Sequence, residues 1–301
     1  MQEIEEIVRE CKVTCHRNVS AKDLTSFKGG GELANLLLPD SVEKLIKVLC
    51  ALQSIGEKPY LLGGGSNTII ADNSISRVVL STALLNKIDI NGDIIYAECG
   101  VKICNLTRFA RAHGLGGFEF MAGVPASVGG ILSANASAFG QQTADYVQYV
   151  DVLSADCVES ERIARDKLNF IYRHGVDGIS LGAGFKLKHM SEVESIKNER
   201  DFLTQRAFKQ PKYPSCGSVF KNLLKDGFKP SAIYIEQCGL KGRRSGGAEI
   251  SEKHANFIVN RGFATATDFL TLVELCERAV YEKFGVKLER EFKLLSNENE
   301  T

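Results

Sequence analysis

Apolar and polar positions divide this chain into alternating helical and extended segments. Residues 2–15 read as a helix. Asp40 with Glu43 reads as a capping box, with Leu45, Ile46, Val48, Leu49 and Leu52 as the helical stripe and Gly56 as its end. Helical spacing returns over 102–113. Ser191 with Glu194 opens a charged connector helix to about 207, and 233–238 reads as a short helix. Thr265 with Asp268 caps a long helix through Leu270, Leu272, Val273, Leu275, Val280 and Phe284, closed by Gly285. Between them, strands are expected at 60–62, 68–70, 77–81, 87–90, 94–98, 147–153, 179–187, 255–259 and 286–295, with Asn91-Gly92-Asp93 as a hairpin turn. The first 190 residues therefore predict a mixed α+β fold with much antiparallel pairing.

Composition narrows the partners. The chain has 301 residues, 44% hydrophobic and 25% charged, enough for two or three globular domains. Lys plus Arg and Asp plus Glu are equal at 37 each, which argues against nucleic acid as the main partner. No apolar run reaches the length of a membrane helix, and the acidic start lacks the basic-then-apolar order of a signal peptide. Nine scattered cysteines fit free thiols in a reducing compartment, so a cytoplasmic location is expected. Cys11, Cys15 and His16 form the one tight cluster, read as a face of the first helix, and no metal is expected.

Two glycine-rich loops carry the clearest chemical signal. Gly63-Gly64-Gly65-Ser66-Asn67-Thr68 leaves one short strand and enters another. Gly123-Val124-Pro125-Ala126-Ser127-Val128-Gly129-Gly130 is followed by Asn135 to Gly140. Bare backbone N–H groups there can approach phosphate oxygens closely, and two such loops suggest an extended ligand such as a dinucleotide. The first loop lacks the spacing and the helix of a Rossmann fingerprint, and it lacks the Gly-Lys-Ser/Thr of a Walker loop. Further along, Gly217 presents Ser218, whose pattern fits a turn serine or a proton donor. Arg173 fits a surface ion pair or a fork for a carboxylate. Glu291 alternates with Glu289 and Lys293, the pattern of a solvated strand face.

Eight segments in order resemble the UDP-N-acetylenolpyruvoylglucosamine reductase family. They are Thr25 to Lys28, Gly63 to Asn67, Gly117 to Pro125, Tyr172-Arg173, Gly217 to Asn222, Ile235 to Gly242, Gly246 to Phe257 and Leu288 to Glu291. The resemblance implies an FAD-binding fold of the vanillyl-alcohol-oxidase type in two subdomains, 1–82 and 83–190. A C-terminal α+β substrate domain, 191–301, completes it. It implies FAD at Gly63, Gly64, Gly65, Ser66, Asn67, Thr68, Gly123, Val124, Pro125, Ser127, Val128, Gly129, Asn135 and Ser137. It implies NADPH as the reductant and an enolpyruvyl UDP-sugar as the substrate, in peptidoglycan synthesis. Ser218 matches the family's proton donor, Arg173 and Glu291 the residues that stabilise the enolate, and Tyr172, Lys221, Asn222 and Gln237 the substrate contacts. The short span from Arg173 to Ser218 resembles the subclass without the tyrosine-bearing loop, and a monomer is expected. Departures from the family pattern fall at Gly31, Ser137, Gly175, Leu223, Arg290 and Lys293. Another flavin oxidoreductase of the same fold type, or a non-catalytic nucleotide-binding homologue, are the alternatives.

Overall fold

A computed structural model describes residues 2–154, 160–224 and 229–297. They mix helices and strands in an α+β arrangement. The chain forms two compact units. One comprises Met1–His16, Asn35–Gly64 and Arg77–Gln205; the other comprises Arg17–Ala34, Gly65–Ser76 and Arg206–Thr301.

The first unit holds α1 (Gln2–Cys11), α2 (Val42–Ser54), α3 (Ile103–Ala112), α4 (Val128–Ser133) and most of α5 (Glu192–Lys209). Its main sheet is antiparallel, in the order Ser160–Ala164, Val147–Leu153, Ile179–Lys186, Ile94–Glu98, Ile88–Asn91. Alternation along these strands turns Ile95, Ala97, Val150, Ala183 and Phe185 inward, against Leu106 and Ala110 of α3 and Ile131 and Leu132 of α4. A second core joins Ile7 of α1 to Leu45, Leu49 and Leu52 of α2, over Leu37 and Leu80. Leu36 and Leu37 pair parallel with Val79 and Leu80, and Tyr60–Leu62 pairs parallel with Val79–Ser81. Buried Ser195 of α5 donates to the buried carboxylate of Glu119 at 2.7 Å.

The second unit holds α6 (Ser231–Gln237) and α7 (Ala266–Phe284). It also holds a three-stranded antiparallel sheet of Arg244–Ser245, Ala248–Ile250 and Ile258–Asn260. Thr68–Ile70 pairs parallel with Lys293–Leu295. Phe269 of α7 meets Phe27 and Phe292 edge-on at 5.1 and 5.0 Å, in a core with Ile69, Val219, Phe220 and Ile235. The capping box on α7 forms as expected: Thr265 Oγ1 accepts the Asp268 N–H and the Asp268 carboxylate accepts the Thr265 N–H, both at 3.0 Å. Asp72 adds to it by accepting the N–H groups of Ala266 and Thr267. Gly285 ends the helix at φ +67°.

Several elements differ from the sequence expectation, among them the strand expected at 255–259, which is Ile258–Asn260, and the unexpected strands Glu32–Leu38 and Ser160–Ala164 and helix α4. The first helix stops at Cys11, Lys12 turns at φ +51°, and Thr14–Ser20 is a strand. Cys15 and His16 therefore sit on that strand instead of a helix face. The cap of α2 is Ser41, whose Oγ accepts the Lys44 N–H, while Asp40 bonds the Lys44 ammonium at 2.9 Å. Both residues are good caps, and the lysine one turn on recruits the acid. The last strand is confined to Lys293–Leu295, because its partner Thr68–Ile70 offers only three residues of ladder.

Candidate active site

The first glycine loop is divided between the two units, with Gly63 and Gly64 in one and Gly65 onward in the other. In the first unit, a Cβ on Gly64 would come within 2.7 Å of the Pro125 carbonyl and 3.3 Å of the Ser127 N–H. A Cβ on Gly63 would come within 2.6 Å of Ser127 Oγ. The two glycine loops thus touch backbone to backbone, a construction that tolerates no side chain. In the second unit Gly65 lies at φ +62°, where a Cβ would stand 1.9 Å from the Leu24 carbonyl, and its own carbonyl accepts the Ser26 N–H at 3.0 Å. Ser66 and Asn67 are half-buried, and Thr68 is buried at the start of its strand.

Beyond exposed Gly123 and Pro125 and half-buried Val124, Ser127 caps α4 by accepting the Gly130 N–H at 3.4 Å. Val128 and Gly129 donate to the carbonyls of Val101 and Cys99. Asn135 is buried at φ +40°. Its amide donates to Gln142 Oε1 at 2.9 Å and the Ile171 carbonyl at 3.1 Å, and its Oδ1 accepts the Ala144 N–H. Asn135 thereby fixes the turn that carries Tyr172 and Arg173. Arg173 itself sits at φ +58°, its guanidinium 5.3 Å from the Tyr172 ring and donating to Ser137 Oγ at 3.5 Å. Non-glycine residues in this region carry strain of about 1–3 kcal/mol and cluster at functional sites. Asn135, Ser137, Tyr172 and Arg173 are thus one constellation.

A second constellation lies in the other unit. Ser218 is half-buried between Gly217, at φ +84°, and buried Val219. Val219 donates to the Asn256 carbonyl at 2.9 Å and accepts the Glu291 N–H at 2.8 Å. Glu291 is therefore bonded to the residue next to Ser218, and it is half-buried instead of lying on a solvated face. Buried Asn256 holds both main-chain groups of Phe220, accepting its N–H at 2.9 Å and donating to its carbonyl at 2.8 Å. Removing it would leave two buried groups unmatched, each worth about 1–3 kcal/mol. Burial pushes the Cys216 thiol up to about 12, and the nearby Glu291 charge adds to the shift.

Lys221 is held by two contacts with Glu289, a main-chain bond at 2.8 Å and an ion pair between the side chains. Asn222 Oδ1 accepts the Ser231 N–H at 3.2 Å at the start of α6. Gln237 is exposed at the opposite end of that helix. Asn256 and Glu289 had no local signal marking them, since their partners lie 36 and 68 residues away. Among the described residues, no group of three His, Cys, Asp or Glu side chains could hold a metal ion.

His254 is half-buried, edge-on to Phe257 at 4.8 Å, with Nδ1 accepting the Asn256 N–H at 3.3 Å. Burial holds its pKa below the usual 6.5, and the Lys241 charge adds to this. The unfolded chain then binds the extra proton first, so stability present above about pH 6.5 is lost as pH falls through the lower folded value. His254→Phe should accordingly flatten the decline in melting temperature between pH 7 and 5. An unchanged slope would show that His254 does not titrate on unfolding.

The glycine loops suit a phosphate-bearing dinucleotide, and similarity to known proteins makes the chain an FAD-dependent oxidoreductase. A family model described as "FAD binding domain" matches residues 34–158, and one described as "UDP-N-acetylenolpyruvoylglucosamine reductase, C-terminal domain" matches residues 210–295. The UDP-N-acetylenolpyruvoylglucosamine reductase of Latilactobacillus sakei subsp. sakei is 38% identical over 282 residues, 92% of this chain and 91% of that protein. That of Enterococcus faecalis is 38% identical over 283 residues, 92% and 93% of the two chains. The crystal structure of UDP-N-acetylenolpyruvylglucosamine reductase from Thermus caldophilus superposes with a TM-score of 0.79 at 30% identity, covering 94% of this chain and all of that one. The chain belongs to the UDP-N-acetylenolpyruvoylglucosamine reductase family. Its fold is α+β, with an FAD-binding domain and the family's C-terminal domain.

Proposed function

We propose that this protein reduces UDP-N-acetylglucosamine enolpyruvate to UDP-N-acetylmuramate in peptidoglycan synthesis, with NADPH as reductant. The observation that carries the reading is the presence in one chain of two glycine loops in close backbone contact and of Glu291 bonded to Val219, the residue next to Ser218. Residues 63–68, 123–129, 135 and 137 would hold FAD, within subdomains 1–82 and 83–190, and residues 191–301 would form the substrate domain. The close backbone approach of Gly64 to Pro125 and Ser127 brings the two glycine loops together, as binding one pyrophosphate-bearing group would require. Bound there, FAD would supply hydride-transfer chemistry between NADPH and the enol ether.

The chain's own residues handle charge and proton. Negative charge develops at C2 of the substrate and spreads into its carboxylate as an enolate. Arg173 offers fixed N–H donors to that oxygen, held in place by the Asn135 turn. Glu291 assists as a protonated acid or through a proton network. Ser218 gives its hydroxyl proton to C2. Tyr172, Lys221, Asn222 and Gln237 orient the sugar nucleotide. No helix among the described residues is long and apolar enough to cross a membrane, and a cytoplasmic monomer without nucleic-acid partners fits this reading. The purified protein should be yellow, bleach with NADPH, and regain colour on adding the enolpyruvyl sugar nucleotide. A flavin that bleaches yet ignores that substrate would overturn the assignment.

A further inference from the structure

The side chain of Asn67 does not stay within the glycine loop. Its Nδ2 donates to the main-chain carbonyl of Glu291 at 3.0 Å, although the two residues are 224 apart in the chain. Its own carbonyl accepts the Lys293 N–H at 2.9 Å, just ahead of the ladder that pairs Thr68 with Lys293. On its other side, Glu291 donates its N–H to the Val219 carbonyl at 2.8 Å. Both peptide groups that flank the Glu291 Cα are thus tied down. One is held by the residue next to Ser218, the other by the glycine loop.

This matters because Glu291 lies outside the strand. The ladder begins two residues later, and without a further tie a strand end frays. A side chain can be aimed only as well as its backbone is fixed, and small displacements of a reacting group are costly. An amide suits this role. It reaches the carbonyl with a donor, whereas an aspartate would present a second oxygen and an alanine nothing.

We propose that Asn67 is a positioning residue for Glu291, its amide fixing the glutamate's main chain and hence the place of its carboxylate. The first glycine loop then acts twice: its backbone faces the cofactor, and its asparagine sets the proton-handling group. The proposal rests on the reading of Glu291 as a stabiliser of the enolate.

The test is a double-mutant cycle on the flavin-loaded enzyme, comparing wild type, Asn67→Asp, Glu291→Gln and the double variant. Flavin content and melting temperature are recorded first, then flavin reduction by NADPH and reoxidation by the enolpyruvyl substrate are timed separately. With rates taken per bound flavin, Asn67→Asp should slow reoxidation by about 10–100-fold beyond whatever it does to reduction by NADPH, the scale of a misplaced group. In the Glu291→Gln background the same change should slow reoxidation by no more than about two-fold, since nothing remains to be positioned. Equal slowing in both backgrounds, or none in the first, would overturn the proposal. Glu291→Gln reoxidising at the wild-type rate would remove the reading of Glu291 itself, and it would do so without any change at Asn67. Should Asn67→Asp lose its flavin, Asn67→Ala takes its place in the cycle. Loss of flavin from both would show that the Asn67 side chain serves the cofactor instead of Glu291 and overturn the proposal.

Discussion

Ser218→Ala should leave flavin reduction by NADPH intact while turnover of the enol ether falls by about 10²-fold or more, the usual scale for a positioned general acid. The fold gives no reason for a wider effect. The segment carrying Ser218 is held by main-chain bonds of Val219 to Asn256 and Glu291, and by the Asn256 side chain on Phe220. None of these uses the hydroxyl. The loss should therefore appear in the second half-reaction alone, with melting temperature unchanged. The two half-reactions, followed by flavin absorbance in stopped flow, separate the cases. Wild-type reoxidation in Ser218→Ala would remove the residue from the mechanism.

Gly65→Ala should abolish the purified, flavin-bearing protein. The added Cβ would stand 1.9 Å from the Leu24 carbonyl oxygen and 3.0 Å from its carbon, both backbone atoms that no rotamer change can clear. The residue would also be held at φ +62°, at a cost of about 1–2 kcal/mol for an L side chain. Relief requires moving the 24–26 turn, which is tied to the loop by the Ser26 N–H on the Gly65 carbonyl. Against a total stability of about 5–15 kcal/mol, such a displacement is severe. Gly92→Ala is the control: its φ is +60°, yet a Cβ there meets nothing within 4 Å. Soluble yield, melting temperature and visible absorbance of the two variants measure the difference. A yellow Gly65→Ala protein melting with wild type would show that the loop accommodates a side chain.

Local signals were the readable part of this fold. The capping box at Thr265 and Asp268, the terminating Gly285 and the Asn91-Gly92-Asp93 turn each act within a few residues, so the sequence displays them directly. Where two local solutions compete, as at Asp40 and Ser41, the choice depends on a lysine one turn away. The site was legible differently. Ser218 has the local pattern of any turn serine, and only the ordered resemblance over the chain singled it out. What holds it could not be read at all. Asn256 on Phe220, Glu289 on Lys221 and Asn67 on Glu291 are pairings of distant segments that leave no periodicity or spacing behind. Arg290, where the family pattern differs, is engaged by both carboxylate oxygens of Glu277 at 2.7 and 2.8 Å.

The division of the chain between its two units bears on how the polypeptide matures at the ribosome. The segments Arg17–Ala34 and Gly65–Ser76 emerge early, but their companions in the same unit begin only at Arg206. Asn67 meets its carbonyl partner only when Glu291, 224 residues further on, has been made. At 5–20 residues per second, the nascent glycine loop waits on the order of 10–40 s for that completion. Assembly of this unit therefore depends, in its decisive step, on segments made much later. Phe27 and Ile69, buried in the finished core, lack their partners from the later segments in the interval and are natural clients for a chaperone.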